Sequence, residues 1–367
     1  MKIGDAPELG RYITQTTEKI KPEGLAKTRQ VYPGDLVLSN SMSFGRPYIM
    51  AIRGCIHDGW LLIRDAQKHF DPIFLCHMLG APQMLNQYRM FAAGSTVNNL
   101  NKELVGKAIV SLPSKDEQRE IGIVLDRLDS LITLHQRKYD KLCVLKKSML
   151  DKMFPKGGSL YPEIRFAGFT DPWEQRKLGE VAHFINGRAY SQNELLSSGK
   201  YPVLRVGNFY TNDSWYYSNL ELEDKNYAYE GDLLYTWSAT FGPHIWHGNK
   251  VIYHYHIWKV QLEAALEKLF AFQLLERDKE RILSDKNGST MVHITKTGIE
   301  NTSVLMPCSV EEQRRIGAFF DRLDSLITLH QRKYDGCTLS PIFLERCTLC
   351  RKTSLRNRCF ATTTPSG

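Results

Sequence analysis

The sequence predicts an α+β protein with two related α/β domains, each followed by a long repeated helix, and the two helices are expected to pair as an antiparallel coiled coil. The fifteen residues 126–140, DRLDSLITLHQRKYD, recur without change at 321–335. The segments before them are similar as well, and both change from short apolar runs to a helical stripe where the repeat begins. A repeat of this length indicates two copies of one unit.

Each copy of the repeat predicts a long helix. SKDEQREIG from Ser114 aligns with SVEEQRRIG from Ser309, and both begin with the S-x-x-E pattern of a capping box. Apolar residues then alternate at spacings of four and three, as in a coiled-coil seam. A helix from Lys115 to Phe154 is roughly 60 Å long, too long for one globular core. The predicted helix-pairing residues are Ile121, Leu125, Leu128, Ile132, Tyr139, Leu142, Ile316, Phe320, Leu323 and Ile327.

The domain before each helix repeats less strictly. PGDLVLSNSMSFG from Pro33 aligns with EGDLLYTWSATFG from Glu230, and the Gly-Ser-Thr triplet at 94–96 aligns with the one at 288–290. The two domains therefore have related folds and different surface residues.

Short runs rich in Tyr, Val, Ile and Trp predict strands in the second domain at 201–206, 232–237 and 251–260. The segment 263–285 carries a broad apolar face and predicts a helix. Its counterpart in the first domain is 72–88, where Asp71 before Pro72 is a favourable helix start. Each domain is therefore expected to combine a small sheet with helices.

Two departures from the repeat affect the predicted boundaries. The stretch 165–181 has no counterpart, so the first domain is expected to be N-terminally truncated, with unpaired strand edges. After Asp335 the repeated pattern is lost, which predicts a poorly ordered tail. The predicted segments are a first domain at 1–112, its helix at 113–155, a second domain at 156–308, a shortened second helix at 309–336 and an aberrant tail at 337–367.

The chain carries a formal net charge of +8 at pH 7, which is compatible with a polyanionic partner and does not require one. The N-terminal residues lack the charged and apolar pattern of a secretion signal, and no apolar run is long enough to span a bilayer. We expect a cytoplasmic protein without a membrane partner.

The sequence lacks the glycine-rich motifs of nucleotide hydrolysis, of dinucleotide binding and of serine hydrolases. Asp213, Glu223 and Lys225 resemble the spacing of nuclease active sites, but charged residues make up 24 % of the chain, so such spacings arise easily. A self-sufficient metal-dependent nuclease or DNA methyltransferase is the alternative function that we consider. We expect no catalytic residues.

Four histidines lie close together in the second domain: His244, His247, His254 and His256. Imidazoles at this density are able to hold a transition metal. The internal repeat places no histidines opposite three of them, which excludes a metal common to both domains and leaves open a site in the second. Alternation in 253–256 predicts that His254 and His256 share one strand face.

A coiled-coil adaptor that binds no nucleic acid is a further alternative for the function of the whole chain.

Loops with small hydroxyl and amide side chains, aromatic rings and arginines are suited to contacts with base edges and phosphates. In the first domain the predicted DNA-binding residues are Ser39, Asn40, Ser43, Arg46, Ser95, Thr96 and Asn98. In the second they are Arg188, Asn208, Tyr210, Thr236, Trp237, Ser238, Thr240, Ser289, Thr290, His293 and Lys296. Their presence in both domains favours recognition over turn formation alone.

The chain resembles the DNA specificity subunit of type I restriction-modification enzymes. The resemblance is carried by TDPWEQRKLGEV at 170–181 and by the EQRxIGxxxDRLDSLITLHQRK helices that begin at Glu117 and Glu312. It implies that each domain is a target recognition domain for half of a split site in double-stranded DNA, and that the helices are a spacer on which two methylation subunits and the restriction subunits assemble. S-adenosylmethionine, ATP and Mg are then expected on those partners, with no cofactor and no metal on this chain. Because the first domain is truncated relative to the second, the resemblance also predicts a fragment or silent copy that recognises at most one half-site.

Overall fold

The structure is a computed structural model that divides into two compact units. Unit 1 comprises Met1–Tyr139 and the residues from His330, and unit 2 comprises Asp140–Leu329. The described residues are 1–40, 45–92, 100–210, 212–238, 240–284 and 294–338. The predicted tail therefore lies outside the described residues from 339 on.

Unit 1 is built on a four-stranded sheet. The strands of unit 1 are β1 (Tyr12–Ile13), β2 (Arg29–Val31), β3 (Leu36–Ser39), β4 (Pro47–Met50), β5 (Gly54–Ile56) and β6 (Trp60–Ile63). The sheet order is β1-β4-β3-β6, with β1 parallel to β4 and the other neighbours antiparallel, while β2 and β5 form a separate antiparallel pair. Leu36 and Leu38 pack in one apolar cluster and Val37 in another, because alternate residues of a strand point to opposite faces.

The helices of unit 1 are α1 (Pro72–Leu79), α2 (Pro82–Ala92), α3 (Lys102–Gly106) and the first part of α4 (Lys115–Met153). The prediction of one helix at 72–88 is wrong, because Pro82 lacks the amide needed to continue α1 and instead begins α2. The start at Pro72 is as predicted. Asp71 Oδ1 accepts hydrogen bonds from the amides of Ile73 and Phe74 at 3.0 and 2.9 Å.

The described residues of unit 2 form ten strands in three sheets. They are β7 (Glu174–Lys177), β8 (Ala182–Asn186), β9 (Tyr201–Leu204), β10 (Tyr216–Ser218), β11 (Tyr227–Ala228), β12 (Leu233–Ser238), β13 (Thr240–Ile245), β14 (Val251–Tyr253), β15 (Ile257–Leu262) and β16 (Ser303–Met306). The sheet orders are β13-β12-β15-β8, β10-β9-β14-β11 and β16-β7. Leu233 and Tyr235 pack in the large core of the unit, and Leu234 between them packs in a second cluster with β14.

The helices described in unit 2 are the end of α4, α5 (Lys268–Ser284), α6 (Lys296–Glu300) and α7 (Val310–Thr338), and the residues of α7 from His330 on belong to unit 1. The large core also takes Met153 and Phe154 from the end of α4 and Phe320 from α7. The predicted helix at 263–285 begins later, at Lys268.

The predicted strand 251–260 is two strands that belong to different sheets. β14 pairs with β9 and β11, whereas β15 pairs with β12 and β8. A turn at Tyr255 and His256 separates them. The prediction of one continuous strand through His254 and His256 is therefore wrong, but the two rings still lie side by side, with centroids 4.9 Å apart.

The repeated Gly-Asp-Leu motif forms the same turn in both units. Gly34 and Gly231 have φ angles of +90° and +87°, which strongly favour glycine. The carboxylates of Asp35 and Asp232 accept hydrogen bonds from the amide three residues earlier, at 2.8 and 2.9 Å. This part of the repeat is therefore structural.

The start of each long helix only partly matches the predicted capping box. The hydroxyls of Ser114 and Ser309 accept hydrogen bonds from the amides of Glu117 and Glu312 at 3.3 and 3.4 Å. The carboxylate of Glu312, however, accepts from the Arg165 guanidinium at 2.7 and 2.8 Å. The prediction for that carboxylate is wrong, because a more distant residue provides a stronger donor.

The glutamine that follows in each motif holds the start of another helix. Gln118 Oε1 accepts a hydrogen bond from the amide of Asp71 at 3.0 Å, and Gln313 Oε1 accepts one from the amide of Glu267 at 2.8 Å. These amides lie immediately before α1 and α5. The repeated motif therefore joins each long helix to the domain in front of it.

Within the described part of the chain, no helix combines the length and the apolar character required to cross a membrane.

Candidate nucleic-acid interface

Several strand ends of unit 2 meet at one edge of its sheets. Thr236 near the end of β12 lies opposite Ile257 at the start of β15, and Trp258 of β15 lies opposite Asn186 at the end of β8. β9 runs parallel to β14, so the segment after Leu204 emerges beside Tyr253. The predicted residues that follow these strand ends are thereby brought into one region of unit 2, called here the strand-end cluster. It consists of residues 188–190, 205–210, 236–244 and 254–256, with residue 239 outside the description.

The turn between β14 and β15 supplies one group of rings to the strand-end cluster. Trp237 Nε1 donates a hydrogen bond to the carbonyl of Tyr255 at 2.9 Å. The rings of Trp237 and His256 lie 5.2 Å apart in an edge-on arrangement. Tyr255 is 39 % exposed, so this group presents an aromatic face to solvent.

Arg188 lies beside this turn. Its guanidinium lies 5.0 Å from the centre of the Tyr190 ring and donates to Glu194 at 2.6 Å. The ion pair, together with hydrogen bonds from Ser191, lowers the pKa of Glu194 to about 2. Arg188 is therefore oriented by a carboxylate that is charged near pH 7.

A second group of rings is centred on His244. The rings of Phe209 and His244 are stacked with centroids 4.1 Å apart. His244 Nε2 lies 3.3 Å from the Tyr210 hydroxyl and 3.3 Å from the Thr236 hydroxyl. Tyr210 is 48 % exposed, so its ring is accessible from solvent while its hydroxyl is anchored.

The histidines of the strand-end cluster are neutral near pH 7. Burial lowers the pKa of His244 to about 4, with a smaller effect from Lys279. Burial also lowers the pKa of His254 to about 4, assisted by His256 and Arg205, and burial lowers the pKa of His256. A neutral imidazole has one donor and one acceptor nitrogen, which suits polar contacts better than neutralisation of phosphate charge.

Two predicted residues support the loops from within. Asn208 Nδ2 donates to the carbonyls of Asn212 and Ser214 at 3.0 Å each, and its Oδ1 accepts from the amide of Arg205 at 3.1 Å. Thr236 is fully buried. These side chains fix the positions of their exposed neighbours.

Sequence reasoning did not identify Tyr190, Arg205, Phe209 or Tyr255 as part of this region. Arg205 lies 4.3 Å from the centre of the Tyr216 ring and donates to the carbonyl of Ser214 at 3.3 Å. The aromatic content of the Tyr-His-Tyr-His run was the available signal, but the sequence analysis interpreted that run only as strand alternation.

The described residues predicted in unit 1 occupy the corresponding strand ends. Ser39 is buried at the end of β3, and Asn40 Nδ2 donates to the carbonyl of Asp58 at 2.9 Å. The guanidinium of Arg46 lies 5.2 Å from the centre of the Tyr48 ring and donates to the carbonyl of Glu8 at 2.5 Å. Unit 1 thus also places an arginine against an aromatic ring beside a strand end.

The remaining predicted residues fall into two groups. Thr240 is exposed and Ser238 is half-buried, and Lys296 lies on α6 with its ammonium 3.7 Å from Glu300. Ser43, Ser95, Thr96, Asn98, Ser289, Thr290 and His293 lie outside the described residues. Their part in recognition remains a prediction.

The arrangement of the described residues does not support the alternative of a metal site or a nuclease-like site. Among the described residues, no three or more His, Cys, Asp or Glu side chains are grouped to hold a metal. His247 is exposed, away from the contacts of His244. Lys225 forms a surface ion pair with Glu223 at 2.6 Å, an arrangement common on protein surfaces.

Comparison with known proteins agrees with this architecture. The model of the family described as type I restriction modification DNA specificity domain matches residues 4–143 and 170–336. A protein named as the MjaX type I restriction enzyme specificity subunit of Methanocaldococcus jannaschii is 24 % identical over 340 residues, covering 86 % of this chain and 77 % of the relative. The MjaVIII specificity subunit of the same organism is 22 % identical over 172 residues, covering 46 % of this chain and 40 % of the relative.

Two solved structures share the fold. The S subunit of a type I restriction-modification system from M. genitalium aligns with a TM-score of 0.59 at 15 % identity, covering 92 % of this chain and 91 % of that chain. A chain of another type I system aligns with a TM-score of 0.50 at 18 % identity, covering 88 % and 82 %. The family match spans both copies of the internal repeat, so the predicted resemblance is confirmed. The chain belongs to the family of type I restriction-modification DNA specificity subunits.

Proposed function

We propose that this specificity subunit recognises duplex DNA through the strand-end cluster of unit 2 and the corresponding strand ends of unit 1, each serving one half of a split site. The observation that carries the proposal is that exposed aromatic rings and hydrogen-bonded arginines come together where strand ends from two sheets of unit 2 meet. The formal net charge of +8 favours association with a polyanion.

The chemistry of the strand-end cluster suits the reading of bases. Tyr210 and Tyr255 offer apolar ring faces for bases and methyl groups, and the neutral His254 and His256 offer hydrogen bonds to base edges. Arg205, held over the Tyr216 ring, supplies positive charge for phosphates. Because hydrogen bonds and ring contacts hold Tyr210 and Arg205 in place before binding, little conformational entropy is lost there on binding.

We further propose that the two long helices pair as an antiparallel coiled coil. Within unit 2, Lys146 contacts Asp324 at 2.6 Å, while the rings of Phe154 and Phe320 have centroids 6.4 Å apart. Between these two contacts the residue number rises from 146 to 154 along the first helix and falls from 324 to 320 along the second. Opposite directions of this kind are expected for an antiparallel pair. Among the pairing residues, Ile316, Phe320 and Leu323 are buried, as a coiled-coil seam requires.

Catalysis is proposed to reside in partner subunits. Methylation subunits and restriction subunits would bind S-adenosylmethionine, ATP and Mg and carry out the reactions. This chain would direct them to the DNA site. The repeat offers these partners two equivalent surfaces: Leu131 and Leu326 are 46 % and 44 % exposed, and Leu134 and Leu329 are 45 % and 44 % exposed. Exposed leucines on both copies of one motif suit two copies of one partner, which here are the methylation subunits.

Tyr210→Ala is expected to weaken sequence-specific binding by about 1–3 kcal/mol, or roughly 5- to 150-fold, because it removes a ring that contacts a base. The target sequence is first selected from a random duplex pool with the full chain. Binding of that duplex is then measured by fluorescence anisotropy at several salt concentrations.

Tyr161→Ala is the control for this experiment, because Tyr161 is 53 % exposed in unit 2 and lies outside the strand-end cluster. Its affinity should equal that of the unchanged chain. Selection that yields no enriched sequence, or equal losses for the two tyrosine variants, would contradict recognition through the strand-end cluster.

Leu131→Lys and Leu326→Lys are each expected to remove one bound methylation subunit, and the double variant both, because a lysine in an apolar contact leaves its charge desolvated. Native mass spectrometry of the assembled complex gives the stoichiometry. Val144→Lys is the control, since Val144 is 70 % exposed on the same helix but lies beyond the exact repeat. Loss of both partners in either single variant would argue against two equivalent surfaces.

A further inference from the structure

His244 Nε2 lies between two hydroxyl groups in the strand-end cluster. It is 3.3 Å from the Thr236 hydroxyl and 3.3 Å from the Tyr210 hydroxyl. Thr236 and His244 come from the neighbouring strands β12 and β13, and the stacked ring of Phe209 fixes the plane of the imidazole. The imidazole therefore connects a fully buried hydroxyl to a tyrosine that is 48 % exposed.

The buried hydroxyl faces a group that only accepts hydrogen bonds. Thr236 Oγ1 lies 3.3 Å from the carbonyl oxygen of Gly242, and a carbonyl has no proton to donate. When the Thr236 hydroxyl donates to this carbonyl, its oxygen is left to accept a hydrogen bond from His244. Thr236 is fully buried, so its polar contacts are made within the protein.

Only one neutral form of His244 satisfies both contacts of Thr236. Burial lowers the pKa of His244 to about 4, with a smaller effect from Lys279, so near pH 7 the ring carries a single proton. With that proton on Nε2, the ring donates to the Thr236 oxygen. With the proton on Nδ1, Nε2 only accepts, and Thr236 has to turn its hydroxyl away from Gly242.

The position of this proton also sets the role of the Tyr210 hydroxyl. A proton on Nε2 lies near both the Thr236 and the Tyr210 oxygens, as in a three-centre hydrogen bond. The Tyr210 oxygen then accepts from His244, and the Tyr210 O–H is left to donate to another molecule. Because Tyr210 is exposed, that donor is available to a ligand of the strand-end cluster.

Building on the proposed recognition of DNA by the strand-end cluster, we propose that His244 is a positioning residue that makes Tyr210 a hydrogen-bond donor to one base in the major groove. Guanine, adenine and thymine each present an acceptor there, whereas cytosine presents only its amino donor. Tyr210 therefore excludes cytosine at the base that it contacts. A tyrosine held in the opposite orientation accepts from the amino group of cytosine and favours that base.

The test selects duplexes from a random pool with the full chain and with Tyr210→Phe, which removes only the exposed hydroxyl. The unchanged chain is expected to exclude cytosine at one position, and the variant to accept cytosine there. Discrimination against cytosine, measured by fluorescence anisotropy, should fall about two- to tenfold, as expected for one hydrogen bond. Tyr161→Phe is the control, because Tyr161 is exposed outside the strand-end cluster, and its base preferences should be unchanged.

His244→Phe tests the positioning role, since it keeps a ring against Phe209 and removes both nitrogens. The Tyr210 hydroxyl is then free to turn, so the exclusion of cytosine should be lost at the position identified with Tyr210→Phe. A merely structural role of His244 would instead lower the affinity for all duplexes equally. Thermal unfolding checks the fold of this variant, and Tyr210→Phe decides the matter if His244→Phe does not fold.

Nitrogen NMR of the full chain labelled on histidine locates the proton of His244 directly, and the signal that is missing in His244→Phe identifies the residue. A proton on Nδ1, or a preference for cytosine that disappears in Tyr210→Phe, would overturn the proposed donor. Identical base preferences of the unchanged chain and Tyr210→Phe would overturn it too. If Tyr210→Ala still weakens sequence-specific binding in that case, recognition through the strand-end cluster stands and only the role of the hydroxyl is lost.

Discussion

Replacing Glu312 by alanine is expected to destabilise unit 2 by about 2–4 kcal/mol, because it leaves the half-buried Arg165 guanidinium without its carboxylate. The side chains of Arg165 and Glu312 are 15 % and 2 % exposed and form two hydrogen bonds. Trp173 Nε1 loses its acceptor as well. Hydrogen exchange of β7 and β16 in denaturant measures this loss of stability locally. A local measurement is needed because a chain of two units need not unfold in a single two-state transition.

Glu117→Ala is the matched control, since the same motif position in unit 1 is exposed. Its effect on stability should stay within about 0.5 kcal/mol. Glu312→Gln should fall between the two, because an amide still accepts the Trp173 hydrogen bond but carries no charge for Arg165. Comparable destabilisation by Glu117→Ala and Glu312→Ala would show that the ion pair with Arg165 is not the source of the effect.

The sequence predicted the features that depend on neighbouring residues. The repeat identified both long helices, and the first runs from Lys115 to Met153 against a prediction of Lys115 to Phe154. The Asp-Pro start of α1 and the hydroxyl caps of Ser114 and Ser309 were also found. Each is determined within a few residues of chain, where capping and periodicity operate.

Features that depend on distant residues were not predictable from local patterns. The S-x-x-E pattern was interpreted as a closed capping box, but Glu312 bonds to Arg165, 147 residues away in the chain. The run 251–260 looked like one strand because β-propensity does not detect the turn at Tyr255 and His256. Its first half pairs in one sheet as β14 and its second half pairs in another as β15. The sequence alone does not show which strand each half pairs with.

The candidate interface shows the same limit. The sequence analysis predicted Tyr210 after the strand 201–206 and Trp237 at the end of the strand 232–237, and both lie in the strand-end cluster. It did not predict the stacking of Phe209 on His244, because these two residues come from segments that are distant in the sequence. Thr236 was listed among the contacts by its type, yet burial makes it a support for His244. Residue type indicated the region, and packing decided which side chains face outward.

The glycine of the repeated Gln-x-x-x-Gly pattern gives the second large expected effect. A Cβ at Gly317 would lie 2.6 Å from Leu269 Cβ and 2.7 Å from the amide nitrogen of Phe270. Those atoms belong to the first turn of α5, which Gln313 also binds. Glycine is therefore required for close approach of the two helices, despite its cost of about 1 kcal/mol relative to alanine inside a helix.

Gly317→Ala is accordingly expected to destabilise unit 2 by about 1–3 kcal/mol, because the clash with backbone outweighs the gain in helix propensity. Gly122→Ala is the graded comparison in unit 1, where the nearest atoms are Asp71 Oδ1 at 2.9 Å and the Phe74 amide nitrogen at 3.2 Å. The looser contact predicts a smaller loss there. Chemical denaturation followed by hydrogen exchange on α1 and α5 measures both. Stabilisation by Gly317→Ala would mean that helix propensity dominates and that the two helices can separate at little cost.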